Sequence, residues 1–172
     1  RIHYSLKLPD LHCDYFKLTE SDGAKTGESF KQFPAQKGDC IIADRGYSTA
    51  QGIAYLDKKG AYSLVRVNTS ALIFYEAESK KFDLVKALTE LKEEYCIGQW
   101  QIMISEDQKH FINGRLCIIR KSHTAAEKAI RKITEKARKR QREVNPSTLE
   151  FAKYIIIFTT LPENFSADIV LE

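Results

Sequence analysis

The chain has 172 residues, 43% of them hydrophobic and 29% charged, with a net charge of +4. That composition excludes a disordered tail or a fibrous repeat and predicts a soluble globular protein, either one medium domain or a core with a sizeable insertion. The longest apolar run, residues 154–158, has the length of a strand and not of a membrane span. The opening segment reads as a polar, alternating strand, not as a secretory leader. Cys13, Cys40, Cys96 and Cys117 lack the spacing of a zinc site or a disulfide framework and predict reduced thiols in a cytosol.

In chain order, residues 1–8 alternate, with Ile2, Tyr4, Leu6 and Leu8 on one side and His3, Ser5 and Lys7 on the other. This predicts a half-buried strand whose hairpin partner follows the Pro9-Asp10 turn over residues 11–20. Residues 21–27 predict a loop, and residues 28–33 a short helical turn closed by Pro34. Residues 39–43 predict a buried strand. A helix capped by Ser48 or Thr49 and ended by Gly60 comes next, then a strand over 61–68. Two strands joined through a helix predict a parallel pair and an α/β sheet.

Residues 79–95 predict an amphipathic helix with Phe82, Val85, Leu88 and Leu91 at helical spacing. Two strands follow, over 99–107 and 114–122, joined by a polar loop through His110 and Asn113-Gly114. A basic helix is expected over 123–142, then a capped element at 145–147, a strand within 151–162 and a final helix from Ser166. The chain opens in a strand pattern and stops inside that helix, which predicts a fragment of a longer protein. The expected organisation is a core over 1–68, an insertion over 69–160 and the start of a returning core helix over 161–172.

Charge is segregated along the chain. Residues 120–142 hold ten Lys or Arg against Glu127 and Glu135, a net +8, which leaves −4 for the rest. An apolar stripe of Ala126, Ala129, Ile130, Ile133 and Ala137 would pack on the body, with Arg140 falling back on that stripe. Lys128, Arg131, Lys132, Lys136, Arg138, Lys139 and Arg142 would then be free for a polyanion, or form a solvated charged surface.

The stretch GDCIIADRGYST, residues 38–49, ends its apolar run on Asp44. Position alone leaves two readings open for that carboxylate, a turn residue or a metal ligand. Arg45 reads as a partner in a nearby salt bridge or as a phosphate contact. His3, His12, His110 and His123 have no ligand spacing and read as structural or surface residues. Asp10, Asp14 and Asp22 fall on turns or strand faces.

In order, DCIIADRGYST, AYSLVRVN, RLCIIRKSHTAAEKAIRKITEKARKRQRE and IIIFTTLPENFSADIVLE resemble the central part of a bacterial insertion-sequence transposase of the DDE type. The resemblance runs from Ile2 to Glu172. It implies a ribonuclease-H-like mixed sheet with flanking helices, interrupted by a mixed β/α insertion. It also implies metal-dependent cleavage and strand transfer on double-stranded DNA, namely transposon ends and target. The intact site would hold two Mg²⁺ or Mn²⁺ ions.

Asp44 matches the second acidic residue of such enzymes, so it is the catalytic, metal-binding candidate. The first Asp of the family's triad would lie upstream of Arg1, on a strand central to the sheet. The third, a Glu in a Tyr, Arg, Glu, Lys pattern, would lie beyond Glu172. This fragment alone is therefore expected to be inactive. An aromatic in the insertion of such enzymes can stack on a flipped base, which makes Trp100 a candidate; a core Trp is the competing reading. A working homodimer in a bacterial cytoplasm is implied, with no membrane partner. A stand-alone nuclease of the same fold and a non-catalytic DNA-binding remnant are the alternatives.

Overall fold

The structure, a computed structural model, describes residues 1–20 and 27–172. The loop expected over 21–27, apart from Gly27, lies outside the described residues, and so does Asp22. The first two strands, β1 (Ile2–Lys7) and β2 (His12–Leu18), form an antiparallel hairpin with Tyr4 opposite Phe16. The alternation is as expected, but the buried side is the other one. His3 is 1% exposed, while Ile2 and Tyr4 on the opposite row are 61% and 57% exposed. The polar row turns inward because it has partners there. His3 Nε2 lies 3.0 Å from Thr19 Oγ1, and the Tyr15 ring packs 5.7 Å from Phe33.

The next unit follows the expected order. A single helical turn (Phe30–Gln32) leads to β3 (Cys40–Ala43), a second short turn (Arg45–Tyr47), α1 (Ala50–Lys58) and β4 (Tyr62–Arg66). Thr49 caps α1 by accepting the Gly52 N–H at 3.2 Å. Gly60, with φ +69, ends it in a conformation that disfavours a Cβ. β3 and β4 pair in parallel, Ala43 beside Val65.

The second half departs from expectation at its start. Residues 79–95 are not one helix. β5 (Phe74–Ala77) and the two-residue β6 (Lys80–Lys81) make a small hairpin, and α2 covers only Leu84–Glu90. Asp83 starts α2 late, because its carboxylate caps the Lys86 N–H at 3.0 Å. Leu88 and Leu91 reach the core as the spacing requires, whereas Val85 stays exposed.

Two long strands follow, β7 (Ile97–Ser105) and β8 (Phe111–Arg120), then α3 (His123–Lys139), α4 (Pro146–Phe151), β9 (Tyr154–Thr159) and α5 (Ala167–Leu171). Asn113-Gly114 does not make the turn between β7 and β8. It lies inside β8, paired with Met103 and Ile102. The turn is instead organised by Asp107, whose Oδ1 accepts the N–H groups of Lys109 and His110, each at 2.9 Å. Those bonds, together with the His110 ring, hold the Asp107 carboxyl well below the ordinary carboxylate range. Gly114 has a packing role: a Cβ there would meet the Phe158 ring at 2.4 Å and the Thr159 carbonyl at 2.8 Å.

One seven-stranded mixed sheet results, in the order β3-β4-β9-β8-β7-β5-β6, so the chain has an α/β fold. Strands from 1–68 and from 69–160 share it, because β4 pairs antiparallel with β9, Val65 beside Phe158. One face, covered by α1 and α2, carries the main core, including Phe30, Ile53, Leu56, Val65, Leu88, Ile104, Leu116 and Phe158. The other face carries a smaller cluster of Cys117, Ala167 and Val170 under α5. Arg115, 2% exposed, fastens the loop that leads into α5. Its guanidinium donates to the carbonyls of Leu161 (3.2 Å), Pro162 (3.0 Å) and Phe165 (2.8 Å) and to Gln99 Oε1 (3.1 Å). Among the described residues no helix is long and apolar enough to cross a membrane.

Two substitutions test this packing. Gly114→Ala should destabilise by about 1–3 kcal/mol, since the new methyl meets backbone and a buried ring with nowhere to move. Arg115→Leu should lower stability by about 3 kcal/mol, because buried carbonyls lose a charged donor. Urea unfolding followed by circular dichroism checks both, and a neutral result at either position contradicts the contact described there.

Candidate metal and nucleic-acid site

Asp44 follows the last residue of β3, at the C-terminal end of the parallel pair. Side chains alternate along strands, so its side of the sheet can be assigned. Ile41 and Ala43 pack on the main core, which sends Ile42 and Asp44 to the opposite face. Ile42, 59% exposed, is consistent with that. The C-terminal edge of parallel strands is where α/β sheets gather their ligands.

The bland reading of Asp44 requires its carboxylate to cap the turn that follows. The backbone does close that turn, with Tyr47 N–H donating to the Asp44 carbonyl at 3.0 Å. The side chain makes no capping hydrogen bond and is exposed. What fixes the position is the surrounding frame. Ser48, fully buried, accepts the Asn68 N–H at 3.1 Å and so ties the end of β4 to this turn. The Tyr47 ring sits 5.7 Å from Phe33 and 5.9 Å from Phe30, and its hydroxyl lies 3.4 Å from His3 Nδ1. Burial first, then the charges of Glu28 and Tyr4, push the Tyr47 hydroxyl up from its ordinary range.

Asp44 is one hard oxygen ligand of the kind Mg²⁺ or Mn²⁺ takes. Among the described residues no group of three His, Cys, Asp or Glu side chains converges anywhere. The residues present fit part of such a shell: Asp44 would supply one carboxylate, and the remaining ligands would come from other groups.

The basic segment is a helix over His123–Lys139, three residues shorter than expected. Gln141, at φ 51, turns the chain away, so Arg142 lies past the helix. Lys128, Arg131, Lys132, Lys136, Arg138, Lys139 and Arg142 are all exposed. Among the described residues one ion pair engages them, Arg131 with Glu135 at 3.8 Å, and it is a solvent-exposed contact of small energetic weight. Ala126 is the only buried residue of this helix; Ala129, Ile130, Ile133 and Ala137 are half-buried. Arg140 is exposed as well. Trp100 belongs to the core: its ring lies over Gly98, where a Cβ would stand 2.2 Å from it, and it tilts against Phe82 at 6.3 Å. That packing ties the half-buried ring to the fold.

Sequence reasoning missed one neighbour of Asp44. The parallel register, which sets Ala43 beside Val65, puts Arg66 on the strand next to it. The AYSLVRVN pattern placed Arg66 at a strand end; only the parallel pairing could have found its neighbour.

If Asp44 is not a structural cap, Asp44→Asn should change unfolding free energy by less than about 0.5 kcal/mol, as surface changes away from specific features do. Urea denaturation measures this; a loss above about 1 kcal/mol would return Asp44 to the role of a turn residue. Comparison with family models, curated proteins and solved structures found no match to this chain.

Proposed function

We propose that this chain is a segment of the catalytic domain of a DNA transposase of the DDE type. In this reading Asp44 is one of the metal-binding carboxylates and α3 is a contact to the DNA backbone. The observation that carries the reading is an exposed carboxylate without a capping role at the C-terminal end of a parallel strand. Rigid strands hold such a group in place while leaving it open to a phosphate.

Three further observations support it. Among the described residues, few carboxylates pair with the cations of α3, as a surface for a polyanion requires. None of them has the setting of a base reader, so the contact would be to backbone and largely indifferent to sequence. β3 has a free edge, and the hairpin leaves Ile2, Tyr4, Leu6, Phe16 and Leu18 uncovered. A ribonuclease-H-like core has these two surfaces flanking its central strand, which carries the first carboxylate.

Bound Mg²⁺ or Mn²⁺, two ions in the intact site, would supply activation of the attacking oxygen and stabilisation of the leaving one. The chain's own residues would position one ion and hold the duplex. The working form would be a homodimer pairing two DNA ends, acting in a bacterial cytoplasm at the nucleoid. A second reading, a DNA-binding remnant without chemistry, is favoured by the lack, among the described residues, of a group of three metal-ligating side chains.

Two measurements test the proposal. With the complete protein containing this chain, Mg²⁺ and DNA bearing the element's own end, Asp44→Asn should abolish strand cleavage while duplex affinity persists. Normal cleavage by that variant removes Asp44 from the site, and a wild type that binds but never cuts selects the remnant. For this chain, replacing Lys128, Lys132, Lys136 and Lys139 by Gln should lower the slope of log K against log salt by about 3. An unchanged slope excludes α3 as the backbone contact.

A further inference from the structure

The first hairpin is a sheet of its own, and among the described residues no backbone hydrogen bond ties it to the seven-stranded sheet. Side chains make the join instead. The inward row carries His3, Tyr15 and Lys17. From it the His3 Nδ1 lies 3.4 Å from the Tyr47 hydroxyl, the Tyr15 ring packs on Phe33 at 5.7 Å, and Lys17 Nζ donates to Gln32 Oε1 at 2.9 Å. The last two end at the short helical turn before β3. The one from His3 ends inside the turn that opens at Asp44.

His3 is 1% exposed and has a hydroxyl at each ring nitrogen, Thr19 Oγ1 at 3.0 Å from Nε2 within the hairpin and Tyr47 on the other side. A neutral imidazole donates through one nitrogen and accepts through the other, and a hydroxyl can answer either role, so the two hydroxyls satisfy the buried ring and fix its plane. Tyr47 is held in turn at its ring and its backbone. The ring tilts against Phe30 at 5.9 Å and Phe33 at 5.7 Å, and the N–H donates to the Asp44 carbonyl at 3.0 Å. Ser48 N–H donates to the Arg45 carbonyl at 3.1 Å, and the Glu28 carboxylate occupies the space where Gly46 has no Cβ. The Asp44 carboxylate makes no capping bond of its own. Its place is therefore set by the residues that hold the turn around it.

We infer that His3 and Tyr47 are positioning residues for Asp44: the buried imidazole of the hairpin holds the Tyr47 hydroxyl, and Tyr47 through its N–H holds the Asp44 peptide. A carboxylate keeps a productive place only when its neighbours have locked rotamers, and a misplacement of about 1 Å can cost on the order of 100-fold in rate. For its catalytic consequence the inference rests on the proposed role of Asp44; the clamp on the turn rests on the contacts alone. Both residues act through Asp44 and not on the substrate. The hairpin is thereby coupled to the candidate site, although the two belong to different sheets.

The test compares His3→Asn, His3→Gln and Tyr47→Phe. An Asn amide lies where Nδ1 does and keeps the link to Tyr47; a Gln amide lies where Nε2 does and keeps only Thr19. In this chain, hydrogen exchange of the amides of residues 47 and 48 should quicken at least about tenfold in Tyr47→Phe and His3→Gln and stay within about threefold of wild type in His3→Asn. Amides of β9 serve as the control for global folding. A filling role alone predicts the reverse order, because Gln is closer to His in volume. If Gln protects the turn as well as Asn, or if Tyr47→Phe exchanges like wild type, the clamp is overturned. In the complete protein, Tyr47→Phe should lower kcat for strand cleavage about tenfold and leave KM for the duplex within about twofold. Wild-type kcat with quickened exchange overturns the positioning role. A wild type that never cuts, with the expected exchange order, leaves the clamp standing and rejects the transposase reading.

Discussion

Everything at the candidate site depends on β4 holding a parallel partner on one side and an antiparallel partner on the other. Val65, fully buried at its centre, faces Ala43 on β3 and Phe158 on β9. Buried hydroxyls lock that register. Thr159 Oγ1 donates to the Ser63 carbonyl at 2.9 Å, and Thr160 Oγ1 accepts the Ser63 N–H at the same distance. A slip of one residue would turn Arg66 into the core and Val65 out of it, so the register is strongly enforced. Through β4 the turn carrying Asp44 is joined to the antiparallel part of the sheet.

The electrostatics of that edge are mixed. Arg45 follows Asp44 directly, Arg66 stands on the next strand, and the Glu28 carboxylate lies against Gly46. The geometry is held by packing, chiefly the Ser48 to Asn68 contact and the aromatic group around Tyr47. The burial of α3 rests on small residues and two half-buried isoleucines.

Arg115 is buried with no carboxylate paired to it among the described residues; its terminal nitrogens are met by three carbonyls from one loop and by Gln99, while its Nε has no partner. The chain from β9 into α5 is therefore held by a hub of charge-assisted bonds, although its own sequence is a Pro-containing loop with weak local preferences. Gly114, next to it, lets the Phe158 ring lie against β8. These two neighbours show how a dipeptide can be read for its turn chemistry and serve packing instead.

Local pattern determined most elements. Alternation marked the hairpin, the apolar run marked β3, the cap and Gly60 bounded α1, and helical spacing with charge marked α3. The strand-helix-strand order determined the parallel pair, and the run ending in Asp44 pointed to a candidate residue. Tertiary structure decided what period and propensity leave degenerate. It chose which row of the first hairpin is buried, because alternation is symmetric and only the partners of His3 and Tyr15 break the tie. It shortened the expected helix over 79–95 to Leu84–Glu90, since Lys80–Lys81 finds a strand to pair with and the Asp83 cap sets the start. It moved Asn113-Gly114 from a turn into a strand, because Phe158, distant in sequence, needs the room. It also brought Arg66 beside Asp44, because strand register, which no local window contains, is what converts separated residues into neighbours.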